Sequence, residues 1–249
     1  MTIQRLNITP TPRTSDLMIT VEAAYGRKVL SVVNQDIPEH AAARLDRKDD
    51  TPIIEFRTQN DADEPTIFHE LCHLQLLARG YPLYNLVISP QMQAHSQMID
   101  RVYSRVRAAM QHALFFPTMR AQGFDPAIKI RLAIADICPS QRGSRGLKEA
   151  DLVFAADLIG THLAGDEEAL IQHIAALRDA GWTWSVETAK KAYNFIQQNG
   201  FDEPRREAAT LVGALDVLFD GQRRPMLRNW RENMQMRSTY SLNEVDLVV

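Results

Sequence analysis

The sequence predicts an α+β protein with a small N-terminal sheet and a mostly helical C-terminal half. Three observations carry this. Short runs of β-branched residues crowd the first sixty positions, from Ile19-Thr20-Val21 to Ile53-Ile54. From residue 65 onward apolar residues recur at helical spacing, in segment after segment. Gly or Pro ends most of those segments: Gly80, Pro117, Gly165, Gly181, Gly200 and Gly221.

Taken in order, residues 17–33 mix β-branched side chains with a Tyr25-Gly26-Arg27 turn signal and predict a hairpin. Residues 38–45, with Asp36 before them, predict a short helix, and residues 52–58 a strand. The polar stretch 59–64 ends that strand. Next comes the best-marked helix. Pro65 suits its first turn, Ile67, Leu71, Leu74 and Ala78 line it, and Gly80 with Pro82 stops it. A second long helix runs over residues 97–116, striped by Ile99, Val102, Val106, Ala109 and Ala113 and closed by Pro117. Residues 126–137 read two ways. Asp125-Pro126 opens a helix, yet Ile128, Ile130, Leu132 and Ile134 alternate as in a strand. Residues 139–146 form a loop or linker. Four helices follow, lined by Leu152 to Leu163, Leu170 to Leu177, Ala189 to Ile196 and Leu211 to Leu218. Residues 223–249 show no period. This divides the chain into residues 1–138 and a helical region over residues 147–249, packed as one unit.

The 249 residues suffice for a real core. A net charge of −3 gives no electrostatic footprint for nucleic acid or an anionic membrane surface. There is no apolar run long enough for a signal peptide core or a membrane span. Two cysteines, Cys72 and Cys138, do not make a disulfide framework. A cytoplasmic protein is expected.

The chemistry concentrates in His69-Glu70-Leu71-Cys72-His73, an HExxH pattern inside the first predicted long helix. Residues four apart on a helix share a face, so His69 and His73 can converge on one ion at about 2.0–2.1 Å each. Glu70 is rotated off that face. It is expected to hold a water on the metal and take its proton as general base, without binding the ion. The flanks, Ile67-Phe68 and residues 74–77, are apolar. Buried polar groups are costly unless they have partners, which argues for a built site.

On residues 53–82, a strand followed by this helix, the sequence resembles the zincin metallopeptidases, and within them the ImmA/IrrE-like group. The resemblance implies a zinc metallopeptidase with Zn2+ as cofactor, residues 1–138 as the metal-binding domain, and a peptide or protein substrate, in that group a regulatory partner protein. The alternative is a zinc-site regulatory or protein-interaction domain without turnover. The intact Glu70 favours the enzyme. An extended peptide is expected to add beside the strand at Ile53.

A catalytic zinc usually has three protein ligands. A metzincin would need Gly at 76 and His at 79, where this chain has Leu76 and Arg79. No glutamate occurs between Glu70 and Glu149, which removes the nearby acidic ligand of a gluzincin. His112 is favoured as third ligand. At about 100° per residue it sits on the flank of its helix's apolar stripe, and Ala108 and Ala109 permit close approach. Asp100 falls on the other flank and His95 in a loop, while Glu149 and Asp157 lie on a later helix. These remain open. Cys72 faces away from the histidines and is expected in packing. Tyr81 and Tyr84 are expected at the rim or in the core, and His162 and His173 are given structural roles. The methionines from Met226 to Met236 read as packing or an adaptable surface.

Overall fold

A computed structural model describes residues 3–5, 10–36, 42–46, 49–81, 84–87, 96–135, 149–219 and 226–229. The chain is α+β and forms two compact units, one of residues 1–81 and 118–124, the other of residues 82–117 and 125–249.

In the first unit, strands β1 (Ile3–Arg5), β2 (Leu30–Val33), β3 (Ala42–Leu45) and β4 (Pro52–Phe56) form one sheet in the order β1-β2-β4-β3. β2 runs parallel to β4, with Leu30 opposite Ile53, while β1 and β3 pair antiparallel to their neighbours. β4 is therefore central, and all its residues but Glu55 are buried. Helix α1 (Pro12–Tyr25) precedes β2, where a hairpin was expected from the sequence. Proline in its first turn and Gly26 at φ +63° past its end are good helix signals. They were masked by β-branched residues and by a narrow buried stripe, which holds only Thr14 and Val21. The helix expected over residues 38–45 is also corrected. Residues 42–45 are the strand β3, because they pair with β4 from Ala42 opposite Glu55 to Leu45 opposite Pro52. Residues 37–41 lie outside the described set.

Helix α2 (Glu64–Ala78) starts where Asp63 accepts a hydrogen bond from the Thr66 N–H at 2.8 Å, satisfying an end donor. Glu64 in turn accepts from the Thr11 N–H and from the hydroxyls of Thr11 and Thr14, tying the starts of α1 and α2 together. α2 packs on α1 and on β3 and β4. Ile67, Leu71 and Leu74 are wholly buried, each such side chain contributing roughly 1.5–3 kcal/mol.

Helix α3 (Ser96–Ala121) does not stop at Pro117 as expected but runs through it. Proline removes one backbone hydrogen bond. The further turn buries Met119 and is closed by Gly123, at φ +83°, donating to the Arg120 carbonyl. In the first unit Phe124 then stacks obliquely on Phe68, ring centres 5.0 Å apart, and Arg13 donates to the Gln122 carbonyl.

Among the described residues the second unit is helical apart from β5 (Tyr84–Val87), which pairs with β6 (Met226–Asn229), a strand that no sequence period announces. The ambiguous segment is helix α4 (Ile128–Ala135), whose alternation leaves Ile128 and Leu132 exposed and Ile134 buried. Helices α5 (Glu149–Ala164), α6 (Glu167–Asp179), α7 (Thr183–Asn199) and α8 (Pro204–Leu218) match the four expected. Their shared core joins Ile99, Val102, Val106 and Met110 of α3 to Leu152, Ile159, Leu177, Ile196, Leu211 and Leu215. α7 and α8 pack closely because residue 213 is glycine. A Cβ there would meet the Phe195 ring at 2.2 Å. Among the described residues no helix is long and apolar enough to cross a membrane.

Candidate metal centre

His69 and His73 are half-buried on α2, in line with the half-buried Thr66, while Phe68, Glu70, Leu71, Cys72 and Leu74 are buried. The two imidazoles lie edge to face, ring centres 4.9 Å apart, at 70°. A half-buried setting suits a ligand. Neighbours fix the ring, while its edge stays within reach of an ion.

His112 on α3 completes a trio. One nitrogen from each of His69, His73 and His112 lies within 4.8 Å of the other two. Tetrahedral zinc at 2.0–2.1 Å from each nitrogen needs separations of about 3.4 Å. Three imidazoles are also a donor set that zinc takes readily. The residues present therefore fit a metal ion, and His69, His73 and His112 would hold it.

Glu70 is 5% exposed, with its carboxylate oxygen 4.0 Å from Nε2 of His69. It is thus beside the His69 imidazole and outside hydrogen-bond range of that nitrogen. Cys72 is 2% exposed, and burial, with the Glu70 charge adding to it, pushes its thiol up to about 12. It stays protonated and packs in the core, since the thiolate is the metal-binding form.

Among the described residues neither Asp100 nor Asp157 joins the trio. Asp100 is exposed. Asp157 on α5 is engaged by the guanidinium of Arg105. Tyr81 is buried, which gives it a packing role. His95, Cys138, the side chains of Tyr84, Glu149 and Met226, and the methionines beyond Met226 lie outside the described residues.

Two neighbours of His112 escaped the sequence reading. The Phe116 ring stacks on the imidazole at 4.9 Å and 13°, and the Phe115 ring meets it edge-on at 5.5 Å. Their spacing, three and four residues on, was the available signal. Comparison with known protein families, curated proteins and solved structures gives no match to this chain.

Proposed function

We propose that this protein is a zinc-dependent metallopeptidase. The observation that carries the reading is the convergence of three imidazoles, two on α2 and one on α3, with a buried carboxylate next to His69. Zinc bound there would supply Lewis-acid polarisation of a peptide carbonyl and a water that ionises near neutral pH. Glu70 takes the proton of the attacking water and returns it to the leaving amine, so that one residue serves as base and then acid. Its burial among Ile67, Leu71 and Leu74 limits competing solvent and strengthens its pull on a proton.

The peptide enters differently from the sequence expectation. β4 is paired on both edges, by β2 and β3, so no peptide can add beside Ile53. Among the described residues the outer strands of this sheet are β1 and β3, and β3 packs on α2. An extended peptide therefore adds to β3, where backbone hydrogen bonds hold it along the strand.

The test is metal content and turnover together. Wild type should hold about one zinc per chain, and His69→Ala with His73→Ala should hold none. Glu70→Gln should keep zinc and fold but lose roughly a hundredfold or more of the cleavage of partner proteins from the same cell. Undiminished zinc in the double variant sinks the site. Equal cleavage by wild type and Glu70→Gln sinks the mechanism. Bound zinc with cleavage by neither leaves a regulatory zinc domain.

A further inference from the structure

A second buried carboxylate lies in the second unit, and the mechanism above leaves it unused. Glu207 on α8 is 0% exposed, and its Oε1 accepts a hydrogen bond from Nε2 of Gln111 on α3 at 3.1 Å. Gln111 is itself buried. It ends a polar row on α3, Tyr103, Arg107 and Gln111, spaced four apart and hence along one side of the helix. Tyr103 and Arg107 share a side-chain hydrogen bond, and the Arg107 charge acts on Glu207. Burial pushes the Glu207 carboxyl up to about 7, with Arg107 and Gln111 pulling it back.

A fully buried glutamate is expensive. Its second oxygen, Oε2, has no hydrogen-bond partner among the described residues. An aliphatic side chain would fill the same core among Leu211, Leu215 and Met110 at lower cost. What the carboxylate adds is direction. Apolar burial is non-directional, so the stripe of Ile99, Val102, Val106 and Met110 tolerates a small turn of α3 about its axis. A hydrogen bond weakens over tenths of an ångström. A turn of roughly 10° moves an atom at the 5–6 Å side-chain radius by about 1 Å.

We infer that Glu207 is a positioning residue for the metal centre: it holds Gln111, fixes the rotation of α3, and so aims the adjacent His112, whose ring plane is set by its stack on Phe116. This rests on the zinc reading above and extends it to α8, some 95 residues further along the chain. Glu207 touches neither metal nor substrate. It acts through Gln111 and the helix backbone.

The test compares zinc affinity by chelator competition, and the visible spectrum of the cobalt-substituted protein, across a set of variants. Glu207→Leu and Gln111→Leu should each weaken zinc by about tenfold or more, the scale of outer partners of metal ligands. Each should also lower the intensity of the cobalt bands as the third imidazole withdraws. Glu207→Gln retains an acceptor for Gln111 and should stay within about twofold of wild type. In a His112→Ala background Glu207→Leu should cost nothing further, because the ligand it aims is gone. Circular dichroism checks the fold, and if Glu207→Leu does not fold, Gln111→Leu tests the same bond from its other end. Wild-type affinity and spectrum in both leucine variants overturn this inference while leaving the zinc site standing. Equal losses with and without His112 overturn it too, since they mark a general structural effect. No zinc uptake by wild type overturns both readings.

Discussion

The histidines on α2 and α3 and those on α5 and α6 are the same side chain put to opposite use. His173 is 4% exposed, and its Nδ1 shares a hydrogen bond with Thr161 Oγ1 at 2.8 Å. Burial pushes its imidazole down to about 4, with His162 adding to the effect. His162 stacks on Tyr193, ring centres 4.5 Å apart, and is also lowered by burial. These two rings are absorbed into packing. His69, His73 and His112 are half-buried and converge instead. Among the described residues they are the one group of three or more His, Cys, Asp or Glu placed to hold an ion. The difference teaches that burial alone does not mark a working histidine. Convergence with partial exposure is what sets the three candidate ligands apart.

The largest effect that would sharpen this contrast is on metal. His112→Ala should weaken zinc on the order of a hundredfold or more, beyond what outer partners carry. His173→Gln, His162→Ala and Asp100→Ala should leave zinc unchanged. Loss of zinc in Asp100→Ala with full retention in His112→Ala would reverse the assignment of the third ligand.

The next contrast is acid stability. Between pH 6.5 and about 4 the unfolded chain protonates at residue 173 while the folded chain does not. The unfolded state then binds more protons, so stability falls as pH falls through that window, by up to about 3 kcal/mol. Glu207 has the opposite slope over an overlapping window. Its folded value of about 7 lies above the ordinary 4.5, so its contribution is lost as pH rises. Only the difference between wild type and His173→Gln isolates the histidine. Urea midpoints of the two should converge as pH drops, and parallel curves would refute the buried neutral ring.

The smallest effect concerns His162. Losing its stack on Tyr193 should cost about 1 kcal/mol, read as a fall of a few degrees in Tm. A loss of several kcal/mol would show that His162 is a keystone of the helical core.

Much of this was legible in the sequence, for reasons that are local. The HExxH spacing, the acidic residues and Pro65 at the start of α2 and the glycines after α5, α6 and α7 all act within a few residues. His112 was singled out by helical periodicity, and its ligand atom lies within 4.8 Å of those of His69 and His73. The failures have physical causes too. α1 buries too narrow a stripe to announce itself, and β3 is a strand because β4 offers it hydrogen bonds. α3 passes Pro117 into a turn that buries Met119, which offsets the lost bond. The Gln111–Glu207 contact joins residues 96 positions apart, and no local pattern encodes it.

The first unit is discontinuous in sequence, and this bears on how the chain is made. Residues 118–124 supply Met119, the Phe124 ring against Phe68 and the Gln122 carbonyl held by Arg13. On a ribosome delivering about 5–20 residues per second, residues 1–81 emerge several seconds before their last piece is made. During that interval the apolar α2, with its histidine pair, waits on the nascent chain with its core incomplete. A gene cut after residue 81 would make this waiting state permanent, leaving Phe68 without its partner ring and Arg13 without the Gln122 carbonyl.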